Sequence, residues 1–350
     1  MANDPAKLNK ADKATETADA TVTSKVVDFE DKHIYALREG VCGSKVFVST
    51  HQEKRTTVKL TGASADIERI TAEVRLFKLG GRLLELNRDS SNAAAAEGRV
   101  LMEIFLNESQ PLRAMESVGD SDVVLEDGTL HTHATVEKIG SGAMYLHFAK
   151  EVDMQQLHTV LRGSGLIQLD APKLRVQTAL QVDVVGSGST RFHTHQLSAA
   201  SILTKVTGSG DILFDATNLA VRQLASVISG SGAIRYHNAG TVDQHTMDVC
   251  GSGKVIATSL LSERALGSVT GSGEVLTQAL KALDGSVFGS GSFKVCEPWP
   301  EHLAVTPRYE ATQHVAKSFT PHDIPTRDLK FGFQKQFNLF GNAISINFDI

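Results

Sequence analysis

The chain has 350 residues, of which 41% are hydrophobic and 6% aromatic, enough for a sizeable core in one large or two ordinary domains. Its formal net charge of −5 lacks the basic balance typical of nucleic-acid-binding proteins, so we expect no nucleic-acid partner. The three cysteines form no CxxC pair, which argues against a zinc or thioredoxin-type site and predicts free thiols.

The N-terminal segment, residues 1–25, is rich in Ala, Thr, Lys and Asp and poor in large apolar side chains, which predicts disorder. It lacks the apolar stretch of a secretory signal peptide. The chain also contains no run of about 18 apolar residues, so we predict no transmembrane helix. The sequence alone therefore favours a cytoplasmic protein, provided that Met1 is the natural start.

Residues 26–300 are predicted to form one all-β domain that begins irregularly over 26–120. Two strand-like runs, LLEL and VLMEIFL, flank a loop at 88–98. Degenerate copies of a later repeat, such as VCGSKVF at 41–47 and VGDSDVV at 118–124, extend the repeat back into this part. We therefore expect the irregular start to share the fold of the regular coils at 121–297.

The regular part contains the triplet Gly-Ser-Gly eight times, at spacings that shorten from 23 to 18 residues. A repeat of this length predicts a solenoid, in which each coil buries its apolar side chains only when it stacks on its neighbours. It is too short for a propeller blade and lacks the leucine-rich frame. The glycines predicted to form the corners are Gly140, Gly142, Gly163, Gly165, Gly186, Gly188, Gly208, Gly210, Gly230, Gly232, Gly251, Gly253, Gly271, Gly273, Gly289 and Gly291.

Apolar residues alternate with polar ones on both sides of each triplet, a period of two that indicates half-buried strands. Each coil is thus predicted to contain a strand, a Gly-Ser-Gly corner, a second strand and a third short strand. Glycine at the corner supplies a positive φ without a steric clash. The serine is expected to bond to nearby backbone or to the serine of the next coil, about 4.8 Å away. A ligand-binding serine ladder is the alternative; a phosphate loop is not favoured, because GxxxxGK[ST] is absent.

The recurring V-x-G-S-G-x-[IV] unit resembles the putative auto-transporter adhesin, head GIN domain family. VCGSKVFVS, DIERITAEVRLFKLGGRLLELNRD and VLMEIFLNESQPLRAMESVGDSDVVLEDG follow the order of the segments that precede the repeats in that family. The resemblance covers roughly residues 33 to 297. It implies a right-handed parallel β-solenoid and a role at the cell surface or outside the cell, against the cytoplasmic expectation above. It implies no catalytic residues.

The repeat is predicted to stop at EPWP, residues 297–300, because prolines cannot donate to a β ladder. We expect Trp299 to cover the exposed apolar end. Residues 301–350 form a C-terminal extension, in which apolar residues alternate on both sides of Gly341-Asn342 and predict a β-hairpin cap. Its apolar face is expected to pack on the solenoid or, alternatively, to make an oligomer contact through 329–350.

One outward position alternates between histidine and aspartate over five successive coils, five residues after the last glycine of each triplet. A neighbouring outward column contributes a tyrosine and two arginines. Stacked in register, these side chains would form a polar face. The candidate ligand-binding residues are Tyr145, His147, Asp170, Arg191, His193, Asp215, Arg235 and His237.

This polar face has three interpretations. The plainest is a solvated salt-bridge ladder, in which opposite charges on adjacent strands stabilise the sheet by roughly 0.2–1 kcal/mol each. The second is a surface for a carbohydrate or an anionic ligand. A metal site is not favoured, since a flat ladder does not converge on one point.

The sequence predicts a non-catalytic, adhesin-like β-solenoid that presents repeated side chains to an extended partner, such as a cell-surface polysaccharide or a protein. A structural scaffold that assembles through the C-terminal hairpin is the first alternative. A polysaccharide-active enzyme using Asp170 and Asp215 is the least favoured, because short coils build no cleft and no catalytic motif is present. No cofactor or metal is expected.

Overall fold

The computed structural model describes residues 22–30, 33–76, 81–89, 99–307, 309–313, 320–329, 333–339 and 342–348. Within these ranges the protein is an all-β solenoid whose coils stack mainly as parallel strands, as the sequence predicts. The loop predicted at 88–98 and the start of the chain lie largely outside the described residues. None of the three cysteines, all of which the structure describes, is in a disulfide, and Cys296 is buried.

Twenty-two of the strands belong to one continuous hydrogen-bonded sheet, and two form a separate hairpin. A five-residue helix, α1 (Ser64–Glu68), lies between two early strands. The strands are β1 (Val22–Glu30), β2 (Ile34–Gly40), β3 (Lys45–His51), β4 (Arg55–Ala63), β5 (Ile70–Leu76), β6 (Arg82–Arg88), β7 (Leu101–Asn107), β8 (Leu112–Val118), β9 (Asp122–Leu125), β10 (Leu130–Gly140), β11 (Ala143–His147), β12 (Val152–Gly163), β13 (Leu166–Gly186), β14 (Ser189–Gly208), β15 (Asp211–Gly230), β16 (Ala233–Tyr236), β17 (Gly240–Gly251), β18 (Lys254–Gly271), β19 (Glu274–Gly289), β20 (Ser292–Val295), β21 (His302–Thr306), β22 (Glu310–Ala311), β23 (Phe333–Leu339) and β24 (Asn342–Phe348).

A regular coil passes through three faces, seen most clearly where β13 pairs with β14. Face A is the stretch after a triplet, at 166–171; face B is the short stretch at 173–176; face C runs from 179 to the next triplet at 186. The ladder shifts register between faces B and C, which marks a corner. The third short strand predicted from the sequence is therefore face B.

The first glycines of the eight triplets lie opposite one another from coil to coil. The carbonyl oxygen of Gly163 accepts the N–H groups of Ser187 and Gly188 at 3.0 and 2.9 Å, and closely similar contacts recur along the column. The first glycine of each triplet has φ between 115° and 133°. The second glycine has a different constraint: a Cβ on Gly188 would lie 2.5 Å from the carbonyl oxygen of Gly165. Both positions thus exclude larger residues, each for its own reason.

The serines of the triplets point away from the core and are exposed. No hydrogen bond between their hydroxyls appears among the described residues, so the expected serine ladder is replaced by main-chain contacts. In the triplets from Ser141 to Ser272, the N–H of the serine, rather than its side chain, connects the corners.

The interior of the regular coils consists of in-register apolar columns with one aromatic stack. The rings of Phe192, Phe214 and Tyr236 follow each other at centroid distances of 4.7 and 5.3 Å. The stack ends in a small polar cluster, in which Ser226 Oγ lies 2.9 Å from the Tyr236 hydroxyl and 3.0 Å from His245 Nε2. Complete burial lowers the pKa of His245 to about 3.

The start of the solenoid adds antiparallel strands to the parallel coils. β4 pairs antiparallel with β1 and β7, and β5 pairs antiparallel with β6. Because β1 begins at Val22, the last residues of the segment predicted to be disordered are in a strand.

A buried charge cluster occupies the interior column of this start. Glu39, Ser117 and Lys138 lie opposite one another on β2, β8 and β10, each with 0% exposure. Lys138 Nζ donates to Ser117 Oγ at 2.9 Å, and Ser117 Oγ donates to Glu39 Oε2 at 2.8 Å. Ser121 Oγ donates to the same carboxylate oxygen at 2.6 Å. Burial raises the pKa of Glu39 and lowers that of Lys138.

The parallel ladder does not stop at EPWP. β21 pairs with β19, and β22 pairs with β20, so the stacking continues past both prolines. The two prolines lie in the connection between β20 and β21, where no ladder donor is required. Trp299 is 45% exposed and its ring packs beside Tyr309, instead of lying buried over the end of the core.

The C-terminal hairpin is present as predicted, with β23 and β24 antiparallel. Leu339 lies opposite Asn342, so Asn342 belongs to the second strand and not to the turn. Whether the hairpin caps the solenoid lies outside what the described residues cover.

Candidate binding surface

The predicted histidine–aspartate column is in register over four coils of face A. His147 lies opposite Asp170, Asp170 opposite His193, and His193 opposite Asp215. Parallel strands are about 4.8 Å apart, which brings each carboxylate within reach of imidazoles on both sides. His237 lies beyond the end of β16, and its N–H donates to the carbonyl of Phe214.

The contacts along this column differ from a uniform ladder. Asp170 Oδ1 lies 3.3 Å from His193 Nδ1, with the two side chains 15% and 43% exposed. Asp215 instead accepts a hydrogen bond from the side-chain amide of Asn238, the residue after His237. The alternation in the sequence thus includes a close Asp170–His193 pair, and Asn238, which the sequence did not single out, contacts Asp215.

The neighbouring outward column of face A is partly covered by the chain itself. Tyr145 and Gln168 lie side by side on β11 and β13 and are only 6% and 1% exposed. Gln168 Oε1 accepts the N–H of His322 at 2.9 Å, and its Nε2 donates to the His322 carbonyl at 3.0 Å. The glutamine amide thus pairs with the backbone of residues 320–329, which we call the strap.

The strap lies across the outside of face A and is anchored on the first coils. Lys45 Nζ lies 2.9 Å from Asp328 Oδ1, and Arg327 Nη2 lies 2.6 Å from Glu126 Oε2. The Arg327 guanidinium also stacks 5.2 Å from the ring centre of Phe47. Apolar contacts add to these: Ile324 and Leu329 of the strap pack on a buried cluster of Phe47, Leu101, Val124, Ala143 and Tyr145.

The strap changes the electrostatics of the residues beneath it. Burial, followed by the charges of Asp122, Asp170 and Asp323, raises the pKa of Tyr145 to about 12. Burial and Arg191 lower the pKa of His322. The Tyr145 phenol is therefore neutral at physiological pH. Because the strap covers it, a ligand on the surface of face A cannot contact it.

Beyond the strap, face A remains partly open. Arg191 Nε donates to Ser189 Oγ at 3.1 Å, and Arg235 Nη1 lies 3.2 Å from Asp211 Oδ2. Arg191, His193, Asp215, Arg235 and His237 are all partly exposed. Of the eight predicted site residues, Tyr145 is thus buried, while the open part of the surface spans the coils from β14 to β16.

The residues 320–329 were not predicted to take part in the site. The sequence shows only two apolar residues, Ile324 and Leu329, among polar ones, and this pattern does not specify which face they contact. Among the described residues no group of three or more His, Cys, Asp or Glu side chains could hold a metal ion. None of the helices in the described part of the chain is long and apolar enough to cross a membrane.

Stacked coils with identical corners, uninterrupted columns of outward side chains and a strap along one face define a β-solenoid repeat protein. The chain belongs to the family described as "Putative auto-transporter adhesin, head GIN domain", whose profile matches residues 42–238 and 213–297. No curated protein matches the sequence.

The chain is also similar to solved structures from two bacterial species. A putative adhesin from Parabacteroides distasonis is 17% identical, with 79% of this chain and 98% of that chain covered and a TM-score of 0.51. A putative adhesin from Parabacteroides merdae is 12% identical, covering 84% and 98%, with a TM-score of 0.45. A putative lipid binding protein from Parabacteroides distasonis is 15% identical, covering 83% and 97%, with a TM-score of 0.44. At these identities the first of them supports the fold alone.

Proposed function

We propose that this protein is a non-catalytic, adhesin-like binding protein that presents the open part of face A to an extended partner, such as a polysaccharide at a cell surface. The observation that supports the proposal best is the register of the outward columns. Side chains of successive coils stand about 4.8 Å apart on a rigid parallel sheet, so a partner with its own repeat can contact several coils at once.

The family supports a binding role at the cell surface, since its description is that of an adhesin head domain. The open part of face A has the chemistry that hydroxyl-rich or anionic partners need: imidazole, carboxylate and guanidinium groups that remain partly exposed. Shallow surfaces of this kind gain affinity by many weak contacts in parallel.

A non-catalytic role agrees with the environment of Asp170 and Asp215, the two aspartates that a polysaccharide-active enzyme would use. Asp170 is engaged by His193 and Gln168, and Asp215 by Asn238. A glycosidase would use such carboxylates as acid and base around a bound sugar. Here both carboxylates serve as partners of neighbouring side chains.

The test is a binding screen against immobilised polysaccharides with wild type and the variant Arg191→Ala/His193→Ala/Asp215→Ala. The proposal predicts that wild type binds at least one polysaccharide and that the triple variant loses most of that binding. The matched control is His131→Ala/His133→Ala, which removes two accessible histidines from β10, outside face A, and should bind as wild type does. Equal binding by wild type and the triple variant would place the partner elsewhere, and turnover of the polysaccharide would contradict a non-catalytic role.

The scaffold alternative rests on the hairpin. Among the described residues β23 and β24 pair only with each other, outside the sheet of the solenoid. A two-stranded hairpin leaves both edges free for pairing with another copy. If it mediates assembly, removal of residues 330–350 should convert an oligomer to a monomer in sedimentation velocity; an unchanged mass would exclude this route.

A further inference from the structure

The regular coils carry a second polar surface, a shallow groove on the outside of face B. It has a volume of about 560 Å³, and its floor is made of small side chains: Ser198, Ala199, Ala200 and Ala220. Arg175 and Arg222 stand on opposite sides of this floor. No acidic residue lines it, although the chain as a whole has a net charge of −5.

The register of the coils explains how the groove forms. Arg175 of β13 lies opposite Ser198 of β14, which lies opposite Ala220 of β15, so the surface drops beside the arginine. Arg222 lies two residues after Ala220, at the corner between faces B and C. The residue of β14 at the same corner is Ala200, which is small. The two guanidinium groups therefore belong to coils two steps apart, roughly 10 Å along the solenoid axis.

The two arginines differ from the others in the same coils. Between Gly140 and Gly251 the chain has five arginines. Arg162 pairs with Glu137, Arg235 pairs with Asp211, and Arg191 donates to Ser189. Arg175 and Arg222 are exposed, and neither forms a hydrogen bond or ion pair with any residue that the structure describes. Both of the arginines without a partner in these coils thus line one groove.

From this arrangement we infer that the groove binds an acidic polysaccharide, with carboxylate groups of two sugar units on Arg175 and Arg222. Guanidinium groups bind carboxylates through paired, charge-assisted hydrogen bonds. The separation of the arginines is comparable with the length of a disaccharide, and the small floor leaves room for a sugar ring between them. The inference rests on the proposed function for the kind of partner, and it assigns that partner a charge and a contact surface other than face A.

The test uses polygalacturonate as the probe, titrated by calorimetry into the full-length protein. A matched ligand is fully methyl-esterified polygalacturonate, which has the same backbone without the negative charges. The variant Arg175→Gln/Arg222→Gln removes both guanidinium groups. The control variant is Arg264→Gln, an exposed arginine of β18 outside the groove, which changes the charge without touching the site.

We expect wild type and Arg264→Gln to bind polygalacturonate alike, the methyl ester to bind at least tenfold more weakly, and the double variant to lose at least tenfold in affinity. The binding should also weaken as salt rises from low to physiological ionic strength, because the charges are exposed. Both variants replace only exposed side chains, so their thermal unfolding should match wild type.

Two results would overturn the inference and leave the proposed function standing: equal affinity of wild type and the double variant, or equal affinity for the charged and the esterified polymer. A third result, in which wild type binds no polysaccharide in either this titration or the screen on face A, would overturn both.

Discussion

The regular coils and the first coils of this protein turn their corners in different ways. In the regular coils the corner is made by main chain: from Gly140 to Gly230, the carbonyl oxygen of each triplet's first glycine accepts two N–H groups from the next triplet. In the first coils side chains do this work. Asp120 accepts the N–H of Gly43 at 2.7 Å, and the Glu39 carboxylate accepts the N–H of Val41 at 2.7 Å. Side-chain contacts thus supplement the main-chain contacts where the repeat is degenerate.

The interiors of the regular coils and of the first coils also differ in the kind of side chain that fills them. The column that holds Leu161 and Val184 in the regular coils holds Glu39, Ser117 and Lys138 at the start. The stability of the regular coils therefore comes from apolar stacking and close main-chain approach. The start instead contains a buried polar network, and the strap packs on the outside of its face A.

The largest expected effect concerns the buried network at the start. Lys138→Leu would leave the Glu39 carboxyl buried without its countercharge, and we expect it to lower the free energy of unfolding by about 3–5 kcal/mol. Glu39→Leu/Lys138→Leu should recover most of this loss, since it extends the apolar column of the regular coils. Denaturant unfolding of the three proteins measures both changes. Equal loss in the single and double variants would show that the charges do not act as a pair.

The regular corners offer the converse test. Gly188→Ala would place a Cβ 2.5 Å from the carbonyl oxygen of Gly165 and 2.7 Å from a methyl group of Leu161. Because backbone cannot move aside in a stacked coil, we expect a loss of about 3 kcal/mol. Ser187→Ala, one residue away and exposed, should change stability by less than about 0.5 kcal/mol. If both variants unfold at the same denaturant concentration, close packing of the corners is not what stabilises the coils.

Acid should destabilise the regular coils through His245. Its pKa is lowered to about 3 in the folded protein from near 6.5, so protons bind the unfolded chain first, and stability is lost as the pH falls from about 6.5 towards 3. Between pH 7 and pH 4 the contribution is about 3 kcal/mol. His245→Leu should remove this share of the pH dependence, measured by urea unfolding at both pH values. The exposed His195, changed to Leu, is the control; a pH dependence in His245→Leu as steep as in that control would contradict the assignment.

The smallest effect is expected at the strap. Gln168→Leu removes both hydrogen bonds to the backbone of His322, and we expect faster hydrogen exchange at residues 320–329 with a global loss of about 1–2 kcal/mol at most. Gln181→Leu, on face C and out of contact with the strap, should leave exchange in the strap unchanged. Unaltered exchange in Gln168→Leu would mean that the strap is held by its other anchors alone.

The sequence predicts the repeat because its signal is local and repeated: glycine spacing and period-two alternation specify corner, strand and register in each coil. The sequence does not predict features that depend on a single contact between residues far apart in the chain. Lys138 breaks an apolar column, but nothing local indicates that Glu39, 99 positions earlier, shares its coil stack. In the same way, the column of Tyr145 and Gln168 reads as open surface, because the strap that covers it lies more than 150 residues further along.

The candidate site follows the same division. The register of His147, Asp170, His193 and Asp215 is predictable from coil spacing, whereas the contact between Asp215 and Asn238 depends on the course of the chain after β16 ends. The groove between Arg175 and Arg222 is also a product of coil register, since it needs small residues on β14 and at Ala220 of β15. That Arg175 and Arg222 have no partner among the described residues could not be predicted from the sequence, because it depends on which side chains lie near them in the folded chain.

The most direct test of the central claim, that stacked coils bind an extended partner, is the dependence of affinity on partner length. Calorimetry with oligomers of a polysaccharide that wild type binds through face A in the screen, from the disaccharide to the polymer, supplies it. Because each added coil contact strengthens an already tethered ligand, the account predicts that affinity per molecule rises steadily with length until the oligomer spans the regular coils. A disaccharide that binds as tightly as the polymer would contradict it, because a single compact pocket would then account for all of the binding.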